Sequence, residues 1–147
     1  MILVDTNVLL RIVQPSHSMH AMALMAVGNL RLANESLCLV PQILYEFWVV
    51  ATRPVEPNGL GMTLAEAEAD VTRLIQRFRL FRDERAIFER WHDLVVQHRV
   101  LGKGAHDARL VAAMERHGLT RILTFNVDDF KRYPGIEVLA PAEVANQ

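Results

Sequence analysis

Four places in this chain of 147 residues set polar oxygens into or directly behind an apolar run. Ile2-Leu3-Val4 leads straight into Asp5, with Thr6 and Asn7 behind it. Glu46 is the only charged residue between Leu37 and Thr52, and Ile43 and Val50 share its helical face. Asp107 aligns with Val111 and Met114 at spacings of four and seven, so it begins an apolar stripe rather than opposing it. Ile122-Leu123-Thr124 delivers a last cluster, Asn126, Asp128 and Asp129. Carboxylates gathered from such positions repel one another and take up protons unless cations hold them. All-oxygen ligands favour Mg²⁺ or Mn²⁺, and no His/Cys spacing suggests zinc. A Mg²⁺ site in an acidic crevice polarises phosphoryl oxygens and activates water, the common parts of nuclease chemistry.

Each position also has a plainer reading. Asp5 suits a helix cap, Glu46 a pair with a buried Arg, and Asp107 the dipole of a helix start. Thr6 either orients a water or caps its helix. His106, beside a helix start, is more often neither phosphate donor nor metal ligand.

The elements that must carry these residues follow from apolar runs and breakers. The opening strand reads as buried on both faces, as in a parallel sheet, and Thr6-Asn7 offers cap chemistry for a helix over Val8–Val13. Ser18 is placed to cap a helix from Met19 to about Leu32, whose methionines suit core filling or a partner interface. Leu37–Val40 reads as a second strand, and Pro41 opens a helix to Thr52. Arg53–Gly61 is a loop by composition, a candidate lid or partner surface. Thr63 and Glu66 form a capping box ahead of a helix to about Phe78, with Glu66, Glu68 and Asp70 on a solvated face. A short strand over Arg79–Phe81 precedes a helix from Glu84 to about His98, with Asp83 as its expected cap. The arginines from Arg73 to Arg90 could contact phosphates, but a solvated charged face is the plainer reading. Gly102-Lys103-Gly104 breaks the chain before the Asp107 helix, which Gly118 ends. Strands over Arg121–Thr124 and Ile136–Leu139, then a helical turn from Pro141, complete a βα order: α/β, three layers, about five mainly parallel strands. In a doubly wound sheet the four acidic positions converge at the switch point.

The length fits one domain, 1–147, with a real core. Cys38 is the only cysteine, which excludes an internal disulfide and favours a reduced, cytoplasmic setting. No stretch approaches a membrane span, and Asp5 interrupts the first apolar run too early for a signal peptide. A net charge of −1 gives no global pull on nucleic acid, although most of the 16 cations are Arg, the better phosphate fork.

With these residues in view the chain resembles PIN-domain ribonucleases, specifically the toxins of VapBC-type toxin–antitoxin pairs. The resemblance is carried by Val4-Asp5-Thr6-Asn7, Glu46, Ala105-His106-Asp107-Ala108 and Thr124-Phe125-Asn126-Val127-Asp128-Asp129-Phe130, in that order. It implies metal-dependent hydrolysis of RNA phosphodiesters with Mg²⁺ or Mn²⁺. Asp5, Glu46 and Asp107 match the family's three main acids. Asn126 stands where many members have an acid, and Asp129 matches a second recurrent acid that would supply the missing charge; Asp128 has the weaker claim. The resemblance further implies a homodimer and a cognate VapB-type antitoxin, with the helix from Met19 and the loop 53–61 as candidate partner surfaces. Haloacid-dehalogenase-type phosphohydrolases need a second Asp where Asn7 stands, and a receiver domain needs an acidic pair this chain lacks. The remaining rival is a PIN fold that has lost catalysis and binds RNA or protein.

Overall fold

The computed structural model describes all of residues 1–147. Its sheet is built from five parallel strands, β1 (Ile2–Val4), β2 (Leu37–Leu39), β3 (Arg79–Leu80), β4 (Arg121–Leu123) and β5 (Glu137–Leu139), in the spatial order β3-β2-β1-β4-β5. The central strands are short, and apolar apart from Arg121 at the start of β4. Ile2, Leu3, Val4, Cys38, Leu39, Ile122 and Leu123 have no or almost no exposed surface, as strands covered on both faces require.

Seven helices cover the sheet: α1 (Thr6–Ile12), α2 (His20–Leu32), α3 (Pro41–Thr52), α4 (Leu64–Arg77), α5 (Arg85–Gln97), α6 (Gly104–Arg116) and α7 (Pro141–Ala145). From β1 to β3 the chain steps outward in one direction, then returns past β1 to β4 and continues to β5. Right-handed crossovers therefore put the helices of the two halves on opposite faces. The packing agrees: α5 lies on α6, whereas α1 packs on both α2 and α3 and α2 on α7. The expected three-layer α/β arrangement results, and all five strands are parallel.

Reversal of direction at β1 opens a crevice beyond the carboxyl ends of β1 and β4. The pairing Val4↔Leu123 fixes its register, so the next residues, Asp5 and Thr124, stand side by side. The Asp5 amide continues the ladder onto the Leu123 carbonyl at 3.0 Å.

Several helix starts differ from the sequence expectation. Asp5, not Thr6 or Asn7, caps α1: its Oδ1 accepts from the Thr6 amide at 2.7 Å. Helix α2 begins after Met19 without a side-chain cap, so Ser18 plays no such role. Glu84 rather than Asp83 precedes α5, because the Asp83 carboxylate is claimed by Arg109. Gly104 is the first residue of α6 instead of the end of a break. The Thr63 cap of α4 holds, with its hydroxyl accepting from the Glu66 amide at 3.2 Å. Gly118 follows α6 at φ +69°, as a helix-ending glycine does.

The loop after α3 is tied down rather than loose. Main-chain bonds run from Leu60 to Val50, Met62 to Ala51 and Gly61 to Arg53, at 2.8 to 3.0 Å. Gly59 passes so close to α3 that a Cβ there would stand 1.9 Å from the Arg53 carbonyl oxygen.

Candidate active site

Asp5 is placed by β1 and held by three donors. One carboxylate oxygen caps α1. The other accepts from the Thr124 hydroxyl at 2.7 Å and the Asn7 amide at 3.3 Å. Asn7 also donates to the Thr124 hydroxyl at 3.1 Å, and its own oxygen accepts from the Phe125 amide at 3.1 Å. The Thr124 hydroxyl, fully buried, accepts in addition from the Asn126 amide at 3.0 Å. A closed network thus joins the ends of β1 and β4. The plainer reading of Asp5 as a helix cap is correct, and it coexists with placement in the crevice.

Glu46 reaches the same crevice from the second turn of α3. Its Oε1 accepts from the Gln42 amide at 2.9 Å, and its Oε2 lies 3.3 Å from the Thr6 hydroxyl, which also reaches the Ile43 carbonyl at 3.2 Å. No Arg or Lys pairs with it, so the buried-ion-pair reading fails. Thr6 does not cap α1; its hydroxyl bridges to α3 beside Glu46.

Asp107 enters from the first turn of α6 on the opposite layer. Two neutral contacts set that turn. The Trp91 indole of α5 donates to the Ala105 carbonyl at 2.8 Å, and Gln42 donates to the His106 carbonyl at 2.8 Å. Val111 and Met114, on the Asp107 stripe, are fully buried. The side chains of Asp5, Thr6, Gln42, Glu46, Asp107, Arg109 and Asn126 line one open cavity of about 710 Å³.

The last cluster splits. Asn126 precedes a short 3₁₀ turn over Val127–Phe130 and lines the cavity. Asp129, in that turn, is exposed and does not line the cavity, but lies close enough for its charge to raise the proton affinities of both Asp5 and Asp107. Asp128 points outward, is largely exposed and pairs with Lys131.

Burial, reinforced by Glu46 and Asp129, pushes Asp5 up to about 6 despite the bonds from Thr124 and Thr6. Burial and then the charges of Asp129, Asp5 and Glu46 push Asp107 up to about 7, with Arg132 opposing. The ion pairs of the molecule, Asp70–Arg73, Asp83–Arg109, Glu84–Arg116, Glu115–Arg90, Glu35 with both Arg121 and the Met1 amine, and Asp128–Lys131, include none of Asp5, Glu46, Asp107 and Asp129. Three carboxylates therefore line one cavity, with Asp129 close by and none of the four in an ion pair; Arg132 alone acts on them from a distance. That donor chemistry, all hard oxygen with an amide carbonyl beside it, fits an oxygen-seeking divalent cation. The side chains do not close around one point as a finished cage, as expected of like charges with nothing between them.

Sequence reasoning found the acids but gave no site role to Asn7 as a donor to Asp5, or to Thr124, Gln42 and Arg109. The only signal for Thr124 was its position at the end of an apolar strand, matching Asp5 at the end of β1.

No curated protein is significantly similar to the chain in sequence. Solved structures resemble it in fold at low identity. A toxin–antitoxin complex from Klebsiella pneumoniae superposes with TM-score 0.66 at 20% identity, covering 96% of this chain and 98% of that one. FitAcB from Neisseria gonorrhoeae gives 0.68 at 18% identity, over 96% and 98%. VapC20 of Mycobacterium tuberculosis, a sarcin–ricin loop cleaving toxin, gives 0.67 at 18%, over 90% and 95%. The PIN domain profile matches residues 2–136, a span that contains β1 to β4, α1 to α6 and every acid of the crevice. A five-stranded parallel sheet with its carboxylates gathered at the switch point, and a family profile spanning both, make this chain a member of the PIN-domain family.

Proposed function

We propose that the chain, a single PIN domain over 1–147, is a metal-dependent endoribonuclease and the toxin of a VapBC-type toxin–antitoxin pair. The observation that carries this reading is the gathering of Asp5, Glu46 and Asp107 around one cavity, with Asp129 beside them and none of the four in an ion pair. Asp5, Glu46, Asp107 and Asp129 would hold Mg²⁺ or Mn²⁺, with the Asn126 side-chain carbonyl as a neutral fifth donor. The ion, when bound, supplies Lewis-acid polarisation of the phosphoryl group and a low-pKa water. The chain's own residues keep the acids in place. Thr124 and Asn7 fix the Asp5 carboxylate, Thr6 and Gln42 fix Glu46, and Trp91 anchors the turn that carries Asp107.

Asn126 adds no charge, and Asp129 compensates from the next turn of chain. The named relatives that are toxin–antitoxin complexes support a VapB-type antitoxin as partner, and homodimerisation is part of the same reading. The test is cleavage of a structured RNA pool by purified, antitoxin-free protein with Mg²⁺, with Mn²⁺ and with chelator. Cleavage in metal and none in chelator is expected. Cleavage that persists undiminished in chelator would refute metal dependence, and a well-folded protein that cuts no RNA in either metal would leave the binding-module reading in its place.

A further inference from the structure

Among the residues lining the acidic cavity, Arg109 is the only Arg or Lys. Its guanidinium does not turn onto the carboxylates. One terminal nitrogen donates to the Gln42 side-chain oxygen at 3.0 Å and the other to the Asp83 carboxylate at 3.1 Å. Tyr45 braces Asp83 from α3, its hydroxyl 3.4 Å from the second carboxylate oxygen. The Arg109 side chain remains about one-third exposed at the crevice rim, at 33%. Two of its five N–H groups suffice for these contacts, which leaves donors for a phosphate oxygen.

Gln42 is 6% exposed and all its bonds are assigned by chemistry. Its oxygen must face Arg109, a donor only, so both its N–H groups turn to Glu46 and to the His106 carbonyl. One neutral amide thereby ties together Glu46 on α3, the residue preceding Asp107 on α6, and the rim cation. A neutral bracket suits this place, since an Arg or Lys there would neutralise the acids and a carboxylate would repel them.

We propose that Arg109 is the phosphate-binding group of the crevice and that Gln42 is a positioning residue keying it to the Glu46 and Asp107 carboxylates. The inference rests on the RNA-hydrolase reading and names where a phosphodiester is held. RNA brought to four carboxylates meets repulsion, and a cation fixed at the rim offsets it while staying off the acids.

Two measurements test the pair. In the first, a short fluorescein-labelled 2′-O-methyl RNA is titrated in Mg²⁺ across a range of salt. Losing one phosphate contact on a single strand lowers the slope of log affinity against log salt by about 0.7. Arg109→Gln is therefore expected to bind about fivefold more weakly at a tenth of the salt at which it matches the parent. Arg109→Lys should keep the slope, because it keeps the charge. In the second, Mn²⁺ binding by Gln42→Met is measured by calorimetry. Loss of a bond that orients a ligand typically costs tenfold or more in metal affinity, and that loss is expected here. A merely structural Gln42 would lower the melting temperature without moving Mn²⁺ affinity. The proposal is overturned if Arg109→Gln has the parent's salt slope, if the parent shows no salt-dependent binding, or if Gln42→Met binds Mn²⁺ as the parent does. A parent that binds no Mn²⁺ at all would defeat the hydrolase reading itself, a separate outcome.

Discussion

At the scale of residues, the chemistry of the crevice is set by neutral neighbours as much as by its acids. Asp5 is buried among donors that are all uncharged, and Asp107 is half-buried beside three other carboxylates. Thr124→Val removes a 2.7 Å bond to Asp5 and leaves Asn7 short of a partner, at almost unchanged volume. RNA cleavage by this variant should fall by roughly tenfold or more, as for other residues that orient ligands, with Mn²⁺ affinity falling in parallel. Unchanged affinity would remove Thr124 from the site. The raised proton affinities also predict a pH dependence. Between the ordinary Asp value of 3.8 and the folded values of about 6 and 7, the native state binds more protons than the unfolded chain. Stability of the metal-free protein must therefore fall as pH rises through this window, and the loss is complete above the higher value. Thermal melting in chelator should show a lower midpoint near neutral pH than at mildly acidic pH. Mn²⁺, which keeps the carboxylates ionised, should stabilise more at the higher pH. A chelated protein whose stability climbs from acid to neutral pH would contradict the burial of uncompensated acids.

At the scale of elements, much was legible because charge interrupts hydrophobicity. Asp5, Glu46 and Asp107 stand out in sequence because each is a carboxylate where the core pattern asks for an apolar group, and the structure brings all three to one cavity. The βα order, with strands such as Ile2-Leu3-Val4 apolar throughout, specified the parallel sheet and hence the switch point. Contacts made across the fold left no such mark. Asp83 has every local quality of a helix cap, yet Arg109, remote in sequence, claims its carboxylate. Gln42 and Thr124 are unremarkable in their segments, and only strand register and helix packing reveal what they touch. The loop over 53–61 reads as open chain from its Pro and Gly content, whereas main-chain bonds press it onto α3. Gly59→Ala must displace the Arg53 carbonyl, and strain of this kind costs about 1–3 kcal/mol. Chemical denaturation should register that loss; a variant as stable as the parent would show the close approach to be unnecessary. Trp91→Phe keeps the apolar stripe of α5 but loses the bond to Ala105. Its cleavage rate is expected to fall further than its stability does, since the missing bond anchors the turn that carries Asp107.

At the scale of the whole molecule, the two helical layers each contribute acids to one crevice: α3 brings Glu46, α6 brings Asp107, and the sheet between them brings Asp5. A cation bound there ties the layers together, so metal should stabilise the entire fold. At a hundredfold excess over Kd, ligand linkage contributes about 2.7 kcal/mol, or roughly 5–10 °C in melting temperature for a chain of this size. No helix is long and apolar enough to cross a membrane.

The most direct measurement of the central claim, that these unpaired carboxylates form a divalent-cation site, is calorimetric titration with Mn²⁺. It compares the parent with Asp5→Asn, Asp107→Asn and, as an outward-facing control, Asp128→Asn. The parent is expected to bind, both crevice variants to lose at least about tenfold in affinity by removing a ligand charge, and Asp128→Asn to match the parent. A well-folded parent that binds no Mn²⁺, or an Asp128→Asn variant that loses as much affinity as the other two, would contradict the claim.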